Sequence, residues 1–314
     1  MLPKGFFLAY AKHLIFGSLC LVIVSVFVFI LNLRPSIQFT GGISIEFSSS
    51  VVVSDLVGPV RDALVSTFSG QTVPDLLFSQ DPVPTLTIPF SDTFFPQGDS
   101  DVREIVADIV GDETRILSYR QIGPSFGSYA RSRSLLWLGM GIAIMVVYIF
   151  FAFAELRKKL DPLYLAMIVV VTMVFDIMVS LGVYGLFMNM SSIYVFDTLV
   201  ILAILSIMGY SINDTIIILD RMRENIDTDA KSLSIKDWSN LIDTSIGQTL
   251  RRSLFTSLST LIITLTLAFL GQGDMQRIAL IISTGVVVGT FSSLFLVPPT
   301  LLLLVKYHDP RRHK

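Results

Sequence analysis

Two aspartates stand inside long apolar runs of this 314-residue chain, and their placement demands a chemical reason. Asp176 lies about midway along the run 162–187, with Thr172 and Ser180 four positions to either side, a short polar stripe on one helix face. Asp214 lies in the run 195–219, where helical spacing groups it with Ser206, Tyr210 and Asn213, a face that Arg221 continues. A charge at membrane depth costs roughly 2.5–3.5 kcal/mol on insertion scales, and acids held there mark ion pathways and proton relays by default. Desolvation favours the neutral form of a carboxyl and a neighbouring cation favours the charged form, so a group held between the two can load and release a proton. Arg252 is the candidate cation. It opens the apolar run 254–270 above Thr256, Ser259 and Thr260, whereas Arg251 is followed at helical spacing by Phe255 and Leu258. Arg252 is therefore assigned inward, toward the carboxylates, and Arg251 toward headgroups. The alternative for both is a snorkelling anchor at the helix end.

The remaining acids near these runs have plainer readings. Asp197 fits a solvated helix start and Asp220 a pair with Arg223 or Arg221. For Asp176 and Asp214 the plain alternative is a hydrogen-bonded core residue that fixes helix packing. Other chemistries find no support. There is no G-x-x-x-x-G-K-[ST] phosphate loop and no basic stripe for nucleic acid, and three histidines with one cysteine form no metal-ligand cluster. No metal, cofactor or enzymatic activity is expected. Cys20 sits within the first apolar run and says nothing about redox compartment.

The elements that must position these acids are membrane spans. The chain is 52% hydrophobic and 15% charged, against roughly 25% charge in soluble domains. Its apolar surplus is grouped into the runs 14–33, 134–154, 162–187, 195–219, 254–270 and 278–305. These have about the length that crosses a hydrocarbon core as a helix. The first run is longer than a signal-peptide core and no A-x-A site follows, so it is expected to be a retained anchor. Lys4 and Lys12, then Arg157, Lys158 and Lys159, then the basic residues of 220–252, and finally Lys306, Arg311, Arg312 and Lys314 alternate with loops almost bare of positive charge. The positive-inside rule then places 1–13, the loop 220–252 and the tail 306–314 in the cytoplasm, and residues 34–133 on the far side. Gly285, Gly289 and Ser293 form a small-residue ladder for close helix packing in the last span.

The stretch 34–133 alternates strand and helix signals. Ile43, Ile45 and Phe47 alternate with polar residues, Ser54 is placed to cap a helix with the stripe Leu56, Val57, Val60, Leu64 and Phe68, and 75–79 with 84–90 flank an Asp81–Pro82 turn. Ser100 is placed to cap a second helix ending at Gly111, and a last strand covers about 114–122. The order β-α-β-β-α-β is the ferredoxin-like one. The expected fold is a polytopic α-helical membrane protein with six transmembrane helices, the last five in 134–305, and one inserted α+β extracytoplasmic domain. In the loop 220–252, Ile235, Trp238, Ile242 and Ile246 share a face that suits either the inner leaflet or the ends of the spans.

Several motifs together resemble a known family. Gly209-Tyr-Ser-Ile-Asn-Asp-Thr215 running into Asp220, Arg221, Glu224 and Asn225 is similar to the fourth-span signature of SecF, the preprotein-translocase branch of the SecD/SecF family. Leu250–Thr260 resembles its fifth-span opening, Phe39-Thr-Gly41-Gly42 its motif after the first span, and Ile122-Gly-Pro-Ser125 the one before the second. Gln38 departs from the pattern, since the family usually carries Asp there. The resemblance implies half of an RND-superfamily bundle in a bacterial cytoplasmic membrane. It also implies SecD as the other half, SecY-SecE-SecG as the channel, a translocating preprotein as substrate and other inner-membrane subunits as accessories. The implied work is late-stage protein export driven by the proton or sodium motive force. By position it makes Asp176, Asp214 and Arg252 polar members of the ion path. An RND-type exporter of lipids or small molecules shares the architecture but not the Asn-Asp motif. An intramembrane aspartyl protease would need G-x-G-D where this chain has Ser211, Ile212, Asn213 and Asp214. A purely structural scaffold would not need buried acids.

The charge distribution makes the orientation testable. With Cys20 replaced by Ser, a cysteine introduced at Ser91 is expected to react with an impermeant thiol reagent from outside intact cells, and one at Lys158 only after lysis. Reversed labelling overturns the orientation.

Overall fold

The computed structural model describes residues 6–69, 71–80, 83–91, 94, 99–111, 115–153, 162–191, 194–226 and 234–308. In chain order the elements are α1 (Phe6–Asn32), α2 (Ile37–Thr40), β1 (Gly42–Phe47), α3 (Val53–Thr67), β2 (Leu77–Ser79), β3 (Thr85–Pro89), α4 (Asp99–Val110), β4 (Ile116–Ile122), α5 (Pro124–Ala152), α6 (Pro162–Met190), α7 (Thr198–Asn225), α8 (Ile235–Leu270), α9 (Asp274–Phe295) and α10 (Val297–His308). Among the described residues six helical stretches are long and apolar enough to cross a membrane: α1, α5, α6, α7, α8, and α9 with α10. The chain is a multi-pass membrane protein. It divides into two compact units, one of Asn32–Trp137 with Leu186–Ile201, the other holding the rest of the helical stretches.

The first unit is built on a four-stranded sheet of order β2-β3-β1-β4, antiparallel throughout. Period-two alternation puts Ile43, Ile45 and Phe47 of β1 and Leu86 and Ile88 of β3 on one face, fully buried under Val60 and Leu64 of α3 and Val102 and Val106 of α4. Each such side chain contributes about 1.5–3 kcal/mol by leaving water. The opposite face is polar, and Arg120 pairs with Glu46 across β1 and β4. Ser54 does not cap α3. The N-cap is Val52, which offers no side-chain acceptor, and Gln80 serves instead, its Oε1 accepting from the Val53 N–H at 3.0 Å. Ser100 likewise lies inside α4, while Gly111 stops that helix at φ +72°. The Asp81–Pro82 turn lies outside the described residues.

The turn into β1 requires its two glycines. Gly41 and Gly42 have φ of +79° and +151°, and a Cβ on Gly42 would stand 2.7 Å from the Ile88 carbonyl oxygen. Phe39, just before them, is buried against the Phe196 ring at 5.7 Å.

In the helical unit α6, α7 and the last span are the most enclosed, whereas α1, α5 and α8 leave broad apolar faces uncovered. Small residues set the closest approaches. Gly285 of α9 meets Ile207 of α7, Gly289 meets Ser211, and Gly182 and Gly185 of α6 meet Ser25 and Phe29 of α1. The last span breaks between α9 and α10 ahead of Pro298 and Pro299, which lack the N–H that a continuous helix needs. At 36 residues α8 is about 54 Å long, well beyond the roughly 30 Å of a hydrocarbon core. Its first turns open on a capping box of Ser234 and Asp237. Trp238, Ile242 and Ile246 there are buried against Phe7, Phe153, Leu165, Met222, Ile226 and Leu301, so this face packs on the span ends.

The glycine contacts predict an asymmetry. Gly285→Leu drives a side chain into Ile207 and is expected to destabilise the chain by about 1–3 kcal/mol, read as a lower thermal midpoint in detergent. Gly209→Ala meets nothing within 4 Å and is expected to be neutral or to gain about 0.5–1 kcal/mol.

Candidate functional site

Asp176 is completely buried on α6, and its partner comes from the neighbouring helix: Ser211 Oγ of α7 donates to Asp176 Oδ2. Ser292 of α9 is also near this carboxylate, but its hydroxyl donates to the Gly289 carbonyl of its own helix at 3.1 Å. Thr172 and Ser180 are buried on the same face. Thr172 turns its hydroxyl onto its own helix, donating to the carbonyls of Ile168 and Val169 at 3.1 and 2.9 Å. Ser180 Oγ and Asp176 Oδ1 make no hydrogen bond among the described residues.

Asp214 follows Ser211 by three positions, about one helical turn, and is also buried. Its polar neighbours are the Ser253 and Ser257 hydroxyls of α8, but neither carboxylate oxygen meets hydrogen-bond geometry with them or any other of the described residues. Ser257 Oγ and Thr290 Oγ1 of α9 stand 2.6 Å apart. A hydroxyl seam thus joins α6, α7, α8 and α9 around two acids. Hydroxyls both donate and accept, so they can serve a carboxyl in either protonation state.

The inward stripe of α8 is Ser245, Thr249, Ser253 and Ser257, all buried. Arg252, one position away, is exposed and does not turn toward the acids within this chain. The expectation of an inward Arg252 is corrected accordingly. The stripe below it is turned away too: Thr256 and Thr260 donate at 3.1 Å to the Arg252 and Thr256 carbonyls, and Ser259 to that of Phe255 at 2.8 Å. Arg251 is exposed as well, with its guanidinium carbon 5.5 Å from the Phe255 ring centre.

The polar residues of α7 divide in the same way. Ser211, Asp214 and Thr215 face inward, while Ser206, Gly209 and Asn213 are exposed and Tyr210 is half-buried between them. The shared face expected for Ser206, Tyr210, Asn213 and Asp214 is therefore two faces. Asp197 is buried rather than solvated, its Oδ1 accepting from the Leu199 and Val200 N–H groups at 3.0 and 3.1 Å. At the other end of α7, Asp220 pairs with Arg223 at 2.8 Å and Arg221 with Glu224 at 2.6 Å. Asn225 Nδ2 donates to Ser245 Oγ and Gln248 Oε1 at 3.0 and 2.9 Å, tying α7 to α8.

Six apolar helical stretches and an α+β unit between the first two in sequence define a multi-pass integral-membrane protein. The family described as "Protein export membrane protein SecD/SecF, C-terminal" matches residues 101–307. The chain is 30% identical to the protein translocase subunit SecF of Helicobacter pylori (strain J99), over 98% of this chain and 91% of that one. It is 35% and 32% identical to SecF of Borreliella burgdorferi and Desulfurispirillum indicum, in alignments spanning 56% and 61% of those relatives' own length. Among solved structures it resembles SecDF, a translocon-associated membrane protein from Thermus thermophilus, with a TM-score of 0.75 at 25% identity, covering 98% of this chain and 39% of that one. A super-membrane-facing form of SecDF gives 0.66 at 25% identity, covering all of this chain and 40% of that one. The chain belongs to the SecD/SecF family of protein-export membrane proteins.

Ser211 escapes the reading from sequence because nothing separates it from the other serines of the spans; its meaning comes from Asp176 on another helix. Ser211→Ala leaves Asp176 buried without its donor and is expected to cost about 1–3 kcal/mol. Asp176→Asn retains an acceptor for Ser211 without the charge and is expected to cost less. Thermal midpoints of the purified chain check the order.

Proposed function

We propose that this chain acts as SecF: with SecD it uses the proton or sodium motive force to promote late-stage translocation of preproteins across the bacterial cytoplasmic membrane. The observation that carries this reading is the buried pair Asp176 and Asp214 amid hydroxyls, in a chain of the SecD/SecF family. Asp214 is the principal ion-carrying group and Asp176 the second station.

An uncovered polar flank supports the partnership. Ser206, Gly209 and Asn213 of α7 are exposed, and so are Arg252 and Thr256 of α8, all on apolar spans. An amide and a guanidinium facing lipid are costly, so a second half covers them. That half is SecD, and Arg252 acts in the ion path at their junction. SecY-SecE-SecG is the channel served, with the emerging preprotein as substrate and other inner-membrane subunits as accessories. Both termini are cytoplasmic. The unit with sheet order β2-β3-β1-β4 is the extracytoplasmic domain, about 34–133, and its β-α-β-β-α-β order is ferredoxin-like. The chain is no enzyme in this reading; the work comes from ion flow, at about 2.3 kcal/mol per charge per 100 mV. Half of an RND-type exporter would share the architecture, but the family assignment disfavours it.

The test is export of a slow preprotein into membrane vesicles holding matched levels of the complex, with and without an ion gradient. Asp214→Asn keeps the shape of the side chain and removes its titrating charge, and is expected to abolish the gradient-dependent part. Asp176→Asn is expected to weaken it. Arg252→Lys is expected to impair it more than Arg251→Lys, because a point charge does not replace a planar fork. A full gradient response from Asp214→Asn vesicles makes Asp214 a packing residue and overturns the relay.

A further inference from the structure

Gln38 joins two stretches of the sheet-bearing unit that are 160 positions apart. Its Oε1 accepts from Thr198 Oγ1 at 2.5 Å and from the Thr198 N–H at 3.3 Å. Thr198 is the first residue of α7, and its N–H is one of the helix-end donors with no partner inside the helix. Asp197 satisfies the next two, those of Leu199 and Val200. The first turn of α7 is thus capped from two places, one of them outside the helix and its own loop.

The surroundings reinforce the junction. The Ser36 N–H donates to the Phe196 carbonyl at 2.9 Å and the Phe196 N–H to the Arg34 carbonyl at 2.8 Å, while Phe39 lies against Phe196. Gln38 sits on α2, whose own N-cap is Ser36, and α2 runs through Gly41 and Gly42 straight into β1. β1 is an inner strand of the sheet, paired on both sides. Sixteen residues of unbroken helix, about 24 Å, separate Thr198 from Asp214.

We propose that Gln38 is a positioning residue whose clamp on Thr198 makes the start of α7 and the start of β1 move together, so that a displacement of α7 reaches the sheet. The inference rests on the reading of Asp214 as an ion-carrying group. It requires position 38 to supply a hydrogen-bond acceptor and not a proton carrier. An amide serves that purpose because it does not titrate, so the clamp holds in both states of the relay.

The experiment uses the full chain with its partner half in vesicles, carrying Gln38→Ala, Gln38→Asp, Thr198→Val, and Gln38→Ala with Thr198→Val. At matched complex levels Gln38→Ala and Thr198→Val are each expected to cut gradient-dependent export about fivefold, the fold-change of one lost hydrogen bond. Gradient-independent export is expected to be unchanged. The double variant is expected to be no worse than either single one, because both remove the same contact. Gln38→Asp, which keeps an acceptor, is expected to restore the response.

Amide hydrogen exchange over Ile43–Phe47 supplies a readout independent of export. Asp214→Asn is expected to change exchange there when Gln38 is present and to leave it unchanged when Gln38 is Ala. Should Gln38→Ala fail to assemble, the same comparison on Thr198→Val decides. The clamp is overturned if Gln38→Ala keeps the full gradient response, if the two single losses multiply, if Gln38→Asp is as impaired as Gln38→Ala, or if exchange in β1 ignores Asp214→Asn. Failure of the export reading is seen separately, as a full gradient response in Asp214→Asn vesicles.

Discussion

A carboxylate removed from water must find its partners in the protein, and the hydrogen bond from Ser211 to Asp176 is where this chain meets that demand. The bond brings α6 and α7 together at one level. It also fixes what a third helix can place there. A Cβ on Gly289 of α9 would stand 3.1 Å from the Ser211 Cβ, so the glycine lets α9 approach closely at that turn. One turn earlier Gly285 meets Ile207 by the same logic. The small-residue ladder of the last span is the steric counterpart of a buried acid on the third.

The hydroxyls that face away from this centre follow a different rule. Ser206, Thr256, Ser259 and Thr260 donate to carbonyls of their own helix and so need nothing from outside it. Asn213 and Arg252 cannot be satisfied in that way. An amide has two donors and an acceptor, and a guanidinium has five donors. Both stand exposed on membrane-spanning helices. The same physics that closes the inner seam therefore leaves the outer flank open, which is the strongest reason within the chain itself for a second half.

Much of the architecture was legible in the residue order. Apolar runs located the six spans, and alternation at Ile43, Ile45 and Phe47 located the first strand. The centre of the site was legible too, because Asp176 and Asp214 are conspicuous in apolar surroundings. What stayed hidden depends on partners that are distant in sequence. Val53 takes its cap from Gln80 rather than from Ser54, and Thr198 takes part of its cap from Gln38. On α8 two hydroxyl stripes run side by side, one from Arg252 and one from Ser253, about 100° apart around the helix. Periodicity treats them alike, and only the packing of α7 and α9 makes the second one inward. The face of Trp238 was ambiguous for a related reason, since a leaflet and a set of span ends present the same apolar surface.

The two acids are held differently, and in the proposed relay that difference assigns their parts. Asp176 is bonded to Ser211 across a helix interface, so adding or removing its proton changes a contact on which α6 and α7 pack. Asp214 has hydroxyls beside it, yet neither oxygen is committed to a hydrogen bond among the described residues. A proton can come and go there with little rearrangement of the helices, which suits the group that exchanges ions. Ser211 stands one turn from Asp214 on the same helix, so the two events share α7. That helix carries Asp214 along its length, receives the Asp176 bond from one side and begins at Thr198 under the Gln38 clamp. In the proposed relay the ion-exchanging acid, the hydroxyl that holds Asp176 and the residue capped by Gln38 therefore all belong to one helix.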